Sequence, residues 1–274
     1  MKTIQLILFL VLSFFSTSLA EVNITEGNKK LPIKGESFKL NGRDAFIILP
    51  ENAKADTPWV WYAPTLKGLP SKAEVWMFER FLAKGIAIAG IDVGESYGSP
   101  DGRKLFSDLY QYLTTERKFS KKPCLLARSR GGLMLYNWAA QNPDKVGGVA
   151  SLYPVCNLES YPGLKKAAGA YKMTAEQLKA KLAEHNPIER MKLLAEAGVP
   201  IFHLHGDSDK IVPYSKNTQI LIERYKKFGG SAKFLLFKGQ GHNMWKGFFQ
   251  SEELTHFAIK CALGKPALGN PKDK

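Results

Sequence analysis

Short apolar runs along this chain alternate with longer stretches in which apolar residues recur every three or four positions. The runs at 45–49, 59–62, 86–91, 124–127, 148–152, 201–205 and 233–237 are rich in Val, Ile, Leu, Phe and Trp and predict strands, with a weaker one at 37–40. Amphipathic spacing at 72–83, 104–115, 131–141, 217–227 and 252–262 predicts helices between them. Strands separated by helices of this length require crossover connections, hence a mostly parallel sheet whose interior strands are covered on both faces. The expected fold class is α/β, with eight strands flanked by helices.

Two regions break the rhythm. Residues 157–199 supply a loop and about two helices without a strand, more than a strand-to-helix connection needs. Such an insertion serves as a lid or substrate wall, or is a plain surface excursion. The tail at 264–274, GKPALGNPKDK, is polar and rich in Pro and Gly, and is expected to be disordered.

The first twenty residues, MKTIQLILFLVLSFFSTSLA, join Lys2 to an apolar run and end in small residues at Ser18 and Ala20, the pattern of a cleaved signal peptide. A retained anchor is the alternative, but the apolar run is short of the ~20 residues a bilayer span needs. The expectation is export to the periplasm or medium, with no membrane anchor after cleavage and one domain over 21–263.

Composition narrows the partners. With 39 Lys and Arg against 25 Asp and Glu, the chain carries +14, which attracts polyanions. The lysines are scattered, and no basic helix stripe or aromatic stacking motif accompanies them, so no nucleic-acid partner is expected. Three cysteines, Cys124, Cys156 and Cys261, are too few for a disulfide scaffold, and no Cys or His cluster has metal-ligand spacing. Neither cofactor nor metal is expected, and the chain is expected to be a monomer.

Ligands of an open parallel sheet bind beyond the carboxyl ends of its strands. Three such ends carry suitable chemistry: LLARSRGG around Ser129, HGDSDKIVP at 205–213, and GQGHN at 239–243. A serine hydroxyl is a weak nucleophile near neutral pH and needs a base to take its proton and a third group to orient that base. Ser129, His242 and Asp209 supply these roles, with Asp207 as a competitor for the third. The small residues Ala127 and Gly131 suit a sharp strand-to-helix turn, and the helix beginning at Gly131 directs its dipole toward a developing oxyanion. Taken singly, Ser129 reads better as a helix N-cap than as a nucleophile, and His242 can be read as a loop histidine. His203 and His205 read as strand residues bonded locally, while His185 and His256 lie in no motif.

The order Ser, Asp, His, with ARSRGG, HGDSD and GQGH at successive strand ends, resembles the α/β-hydrolase superfamily, and in particular secreted bacterial esterases similar to dienelactone hydrolases and prolyl oligopeptidases. The resemblance implies a serine hydrolase with Ser129 as nucleophile, His242 as base and Asp209 as orienting acid. It also implies an oxyanion hole formed by the Arg130 amide and a second amide after the strand 59–62. There the chain reads Ala63-Pro64-Thr65, and Pro64 has no N–H, so the second donor is Ala63 or Thr65.

Arg130 is expected either to meet an anionic substrate group or to pair with Asp92 or Glu95, and Arg128 to serve packing or an ion pair. Glu95 and Trp245 are candidate pocket residues. A basic, exported hydrolase suits carboxylic esters, for example O-acetyl or methyl esters on an acidic polysaccharide. The alternatives are a peptidase of prolyl oligopeptidase type, for whose usual propeller domain the chain has little room, and a binding protein on a hydrolase scaffold.

Overall fold

The computed structural model describes residues 23–269; the expected signal peptide and residues 270–274 lie outside the described residues. Nine strands form one sheet: β1 (Ile24–Glu26), β2 (Glu36–Leu40), β3 (Arg43–Ile48), β4 (Trp59–Ala63), β5 (Ala87–Ile91), β6 (Cys124–Arg128), β7 (Gly148–Leu152), β8 (Ile201–Gly206) and β9 (Ala232–Phe237). Their order is β1-β2-β3-β5-β4-β6-β7-β8-β9. The pairs from β1 to β5 along the first edge are antiparallel, and the pairs from β5 through β9 are parallel. This is the α/β-hydrolase fold.

The apolar runs become the interior strands for the reason periodicity suggested. Every residue of β4, β5, β7 and β8 is buried, because helices cover both faces of the sheet. One face packs Trp59, Trp61, Phe106 and Trp138; the other packs Tyr62, Phe78, Phe202 and Phe257. The predicted eight strands become nine through β1, whose three residues are all exposed and offer no alternation to read.

The helices are α1 (Val75–Leu82), α2 (Pro100–Gln111), α3 (Gly131–Ala139), α4 (Leu164–Ala167), α5 (Ala175–Ala180), α6 (Leu182–His185), α7 (Met191–Glu196), α8 (Thr218–Lys227), α9 (Lys246–Phe249) and α10 (Glu252–Ala262). The insertion holds the four short helices α4 to α7 rather than about two. Left-handed backbone at Lys172 and the Asn186-Pro187 pair interrupt what would otherwise be longer elements. Leu158, Ala167, Tyr171 and Leu178 of the insertion pack with Tyr97, Leu133 and Val212 of the main body. In the tail expected to be disordered, the described part is packed instead: Ala267 and Leu268 lie against the second face of the core, and Ser231 Oγ donates to the Gly269 carbonyl.

Candidate active site

Ser129 sits between the end of β6 and the start of α3 with φ at +51°, a conformation that costs a non-glycine residue energy and persists where its surroundings over-determine it. Here they do. The Ser129 amide donates to Leu152 O, and its carbonyl accepts from Gly132 N and Val155 N. A Cβ on Gly131 would lie 2.1 Å from Ala63 O, so only glycine lets the helix start this close to β4.

Ser129 Oγ is 2.8 Å from His242 Nε2, and His242 Nδ1 is 2.7 Å from Asp209 Oδ2. The other carboxylate oxygen of Asp209 accepts from the amides of Ile211 and Val212 at 3.0 and 2.8 Å. Burial opposes charge on Asp209, but bonds from His205, His242 and Val212 N outweigh it and hold the carboxyl well below its usual range. An ionised Asp209 only accepts, so His242 carries its proton on Nδ1 and leaves Nε2 free to accept from Ser129.

The loops carrying acid and base are stitched together. Asp207, the competitor from the sequence, is exposed and accepts from Gly239 N at 2.8 Å, while Ser208 N donates to Gln240 O. A side chain on Gly206 would come 2.0 Å from Gln240 O, so the glycine of HGDSD lets the base loop cross the end of β8.

Behind Asp209 runs a buried polar chain. His205 Nε2 donates to Val212 O at 2.8 Å and lies 3.5 Å from Asp209 Oδ2. Its Nδ1 therefore accepts from Thr218 Oγ1, which in turn accepts from His203 Nδ1, leaving His203 Nε2 to accept from Tyr136 OH at 2.6 Å. Each proton has one place. Burial, with His205 beside it, pushes the His203 imidazole down to about 3.

A cleft of about 380 Å³ opens over Ser129, lined by Pro64, Leu66, Lys67, Leu69, Arg128, Arg130, Tyr153, His242, Asn243 and Met244. Several expected residues stand elsewhere. Arg130 pairs with Glu95 and lies over the Tyr161 ring at 5.9 Å, so its guanidinium is engaged by protein. Glu95 does not line the cleft; it reaches the site only through Arg130. Trp245 does not line the cleft either: its ring packs on Phe237 and Phe248, and Met244 and Asn243 take the place expected of it.

The oxyanion region also differs in detail from the sequence expectation. Ala63 is fully buried as the last residue of β4, and Thr65 is buried with its hydroxyl donated to Ile91 O. Among the described residues the amides of Arg130, Thr65 and Leu66 have no hydrogen-bond partner, and of the last two only Leu66 lines the cleft.

Two features were not anticipated. The Tyr153 ring lies 4.4 Å from that of His242, and burial pushes its phenol up to about 12. It directly follows β7, another carboxyl end of the parallel sheet, so the strand-end rule contained the signal. The second is Glu74, 1% exposed, whose Oε1 accepts from Arg128 and Tyr62 and whose Oε2 accepts from the Ser71 amide and hydroxyl. This makes Arg128 half of a buried ion pair beside the nucleophile.

The matching structures agree with this architecture. A Mycobacterium tuberculosis puromycin-hydrolyzing peptidase is 15% identical over 90% of this chain and 39% of its own, with a TM-score of 0.62. Porphyromonas gingivalis dipeptidyl peptidase 4 is 12% identical over 90% of this chain and 35% of its own, with a TM-score of 0.64. An Agrobacterium tumefaciens S-formylglutathione hydrolase is 15% identical over 90% of this chain and 100% of its own, with a TM-score of 0.62. The chain thus spans less than two fifths of these peptidases. No curated protein matches by sequence. The matching structures share the α/β-hydrolase fold with this chain. The prolyl oligopeptidase family model matches residues 104–260, and the chain belongs to that family.

Proposed function

We propose that the protein is an exported carboxylic ester hydrolase acting through Ser129, His242 and Asp209. The observation that carries this reading is the 2.8 Å contact between Ser129 Oγ and His242 Nε2, made from a turn that forces the serine to positive φ. Ser129 Oγ attacks the ester carbonyl as His242 Nε2 takes its proton. The tetrahedral oxyanion forms beside the amides of Arg130 and of Leu66 or Thr65. Collapse expels the alcohol, which receives the proton from His242, and a water activated by the same imidazole releases the acid and restores Ser129. Asp209 stabilises the imidazolium in both halves.

For the substrate, we favour an ester on an acidic polysaccharide. The net charge of +14 supports it, as does Lys67, an exposed cleft lysine with no ion-pair partner among the described residues. Arg128 and Arg130 contribute little to that preference, since Glu74 and Glu95 neutralise them. The family name favours a second reading, cleavage of peptides.

Initial rates separate these readings, measured on p-nitrophenyl acetate, on methyl-esterified and acetylated polyuronates, and on aminoacyl p-nitroanilides. The proposal expects ester turnover, with the polyuronate rate falling as ionic strength rises from about 0.05 to about 0.5 M while the neutral ester is unaffected. Faster anilide cleavage means a peptidase, and no turnover of any substrate means a binding protein.

A further inference from the structure

Beneath the insertion, away from the residues lining the cleft, lies a group of buried cationic and donor side chains that no protein acid neutralises. Arg103, in the first turn of α2, is 6% exposed, and its Nε and one terminal nitrogen have no acceptor among the described residues. His185, at the end of α6, is 5% exposed with both ring nitrogens unpartnered. Asn137 of α3 is fully buried. Its Oδ1 accepts from Arg190 at 2.8 Å, which fixes the amide orientation and leaves Nδ2 without an acceptor. The Tyr171 ring stands 5.0 Å from His185 and its hydroxyl is donated to Tyr97 O.

No ion pair of Arg103 or Arg190 exists among the described residues. Glu184, whose charge acts on both His185 and Arg190, is exposed on α6, with Lys181 close by. Helix α2 packs against α3, and α3 against the turn at 187–189 just after His185, which gathers these groups; burial, and after it the charge of Arg103, holds both His185 and Arg190 below their ordinary values. A buried guanidinium with unmade hydrogen bonds, close to a second cation, is among the costliest arrangements a protein can hold without compensation.

We propose that a small inorganic anion of halide size binds among Arg103, Asn137, His185 and Arg190. Such an ion accepts several N–H bonds and asks for none in return, which suits a set composed of donors. It would bridge α2 and α3 of the main body to the insertion between α6 and α7, and so act as an ionic staple for that segment.

The test is thermal unfolding of the full protein in sodium chloride or sodium bromide, at ionic strength held constant with sodium gluconate. The expected result is a saturable rise in Tm, about 5 °C at a hundredfold excess over Kd. In Arg103→Met the rise is lost while Tm in gluconate alone equals or exceeds that of the wild type, since a buried unpaired cation has gone. His185→Phe serves as a second variant, with a weakened halide response. Crystals soaked in bromide should show an anomalous peak between the guanidiniums of Arg103 and Arg190. Equal Tm values in halide and gluconate, a response surviving in Arg103→Met, or a soaked crystal without that peak would each overturn the proposal. So would a rise produced by phosphate or acetate but not by halide.

Discussion

The ring of Tyr153 lies against the imidazole of His242, centroids 4.4 Å apart and planes inclined by 57°. Phe248 and Phe249 pack edge-on behind Tyr153, so the contact is backed by the core and limits how far His242 can swing from Ser129. Small misplacements of reacting groups cost up to about 100-fold in rate. Tyr153→Ala should lower kcat by about 10- to 100-fold on a small acetate ester with little change in KM, whereas Tyr153→Phe should stay near wild type. Steady-state kinetics of the two variants check this.

The two acids of HGDSD are predicted to differ sharply. Asp209→Asn reverses the tautomer of His242 and should cut kcat by about four orders of magnitude. Asp207→Asn, at a side chain that accepts from the Ser208 hydroxyl and the Gly239 amide and makes no hydrogen bond with His242, should cost less than about tenfold. Parallel rate measurements decide between them.

Glu74→Gln should destabilise the fold by about 3 kcal/mol, because it leaves Arg128 charged, 14% exposed and without its partner. Adding Arg128→Met to the same chain should recover part of that loss. Urea unfolding of both single variants and the double variant measures the coupling.

His203 gives stability a pH dependence. Its folded-state value, about 3, lies below the ordinary 6.5, so between these limits the unfolded chain binds the extra proton and acidification favours unfolding. Stability should fall as pH drops below about 6.5, with His203 contributing up to ~1.4 kcal/mol per pH unit. Asp209, held below the usual carboxylate range, adds a loss at lower pH, its stabilisation being fully present above about pH 4. Urea unfolding at pH 7, 6 and 5 should show a shallower slope for His203→Gln than for wild type.

Much of the site was legible because its chemistry sits at strand ends, and buried strands announce themselves as apolar runs. Ser129, Asp209 and His242 each follow such a run at once, so a one-dimensional rule sufficed to bring them together. Trp245 was misread because nearness in sequence to His242 says nothing about which way the loop turns. Its ring packs over Gly247, where a Cβ would lie 2.1 Å from it, and against Phe237 and Phe248. The cluster of Arg103 and His185 was hidden for the opposite reason. The two residues are far apart in sequence, and only the packing of the insertion brings them together.

The most direct test of the central claim is covalent labelling of Ser129. A fluorophosphonate reacts with a serine only when a neighbouring base has activated it. The account predicts one adduct per chain by intact mass, mapped to the peptide bearing Ser129, and none in Ser129→Ala or in His242→Ala. Labelling that persists in folded Ser129→Ala, or a native protein that never reacts, would contradict it.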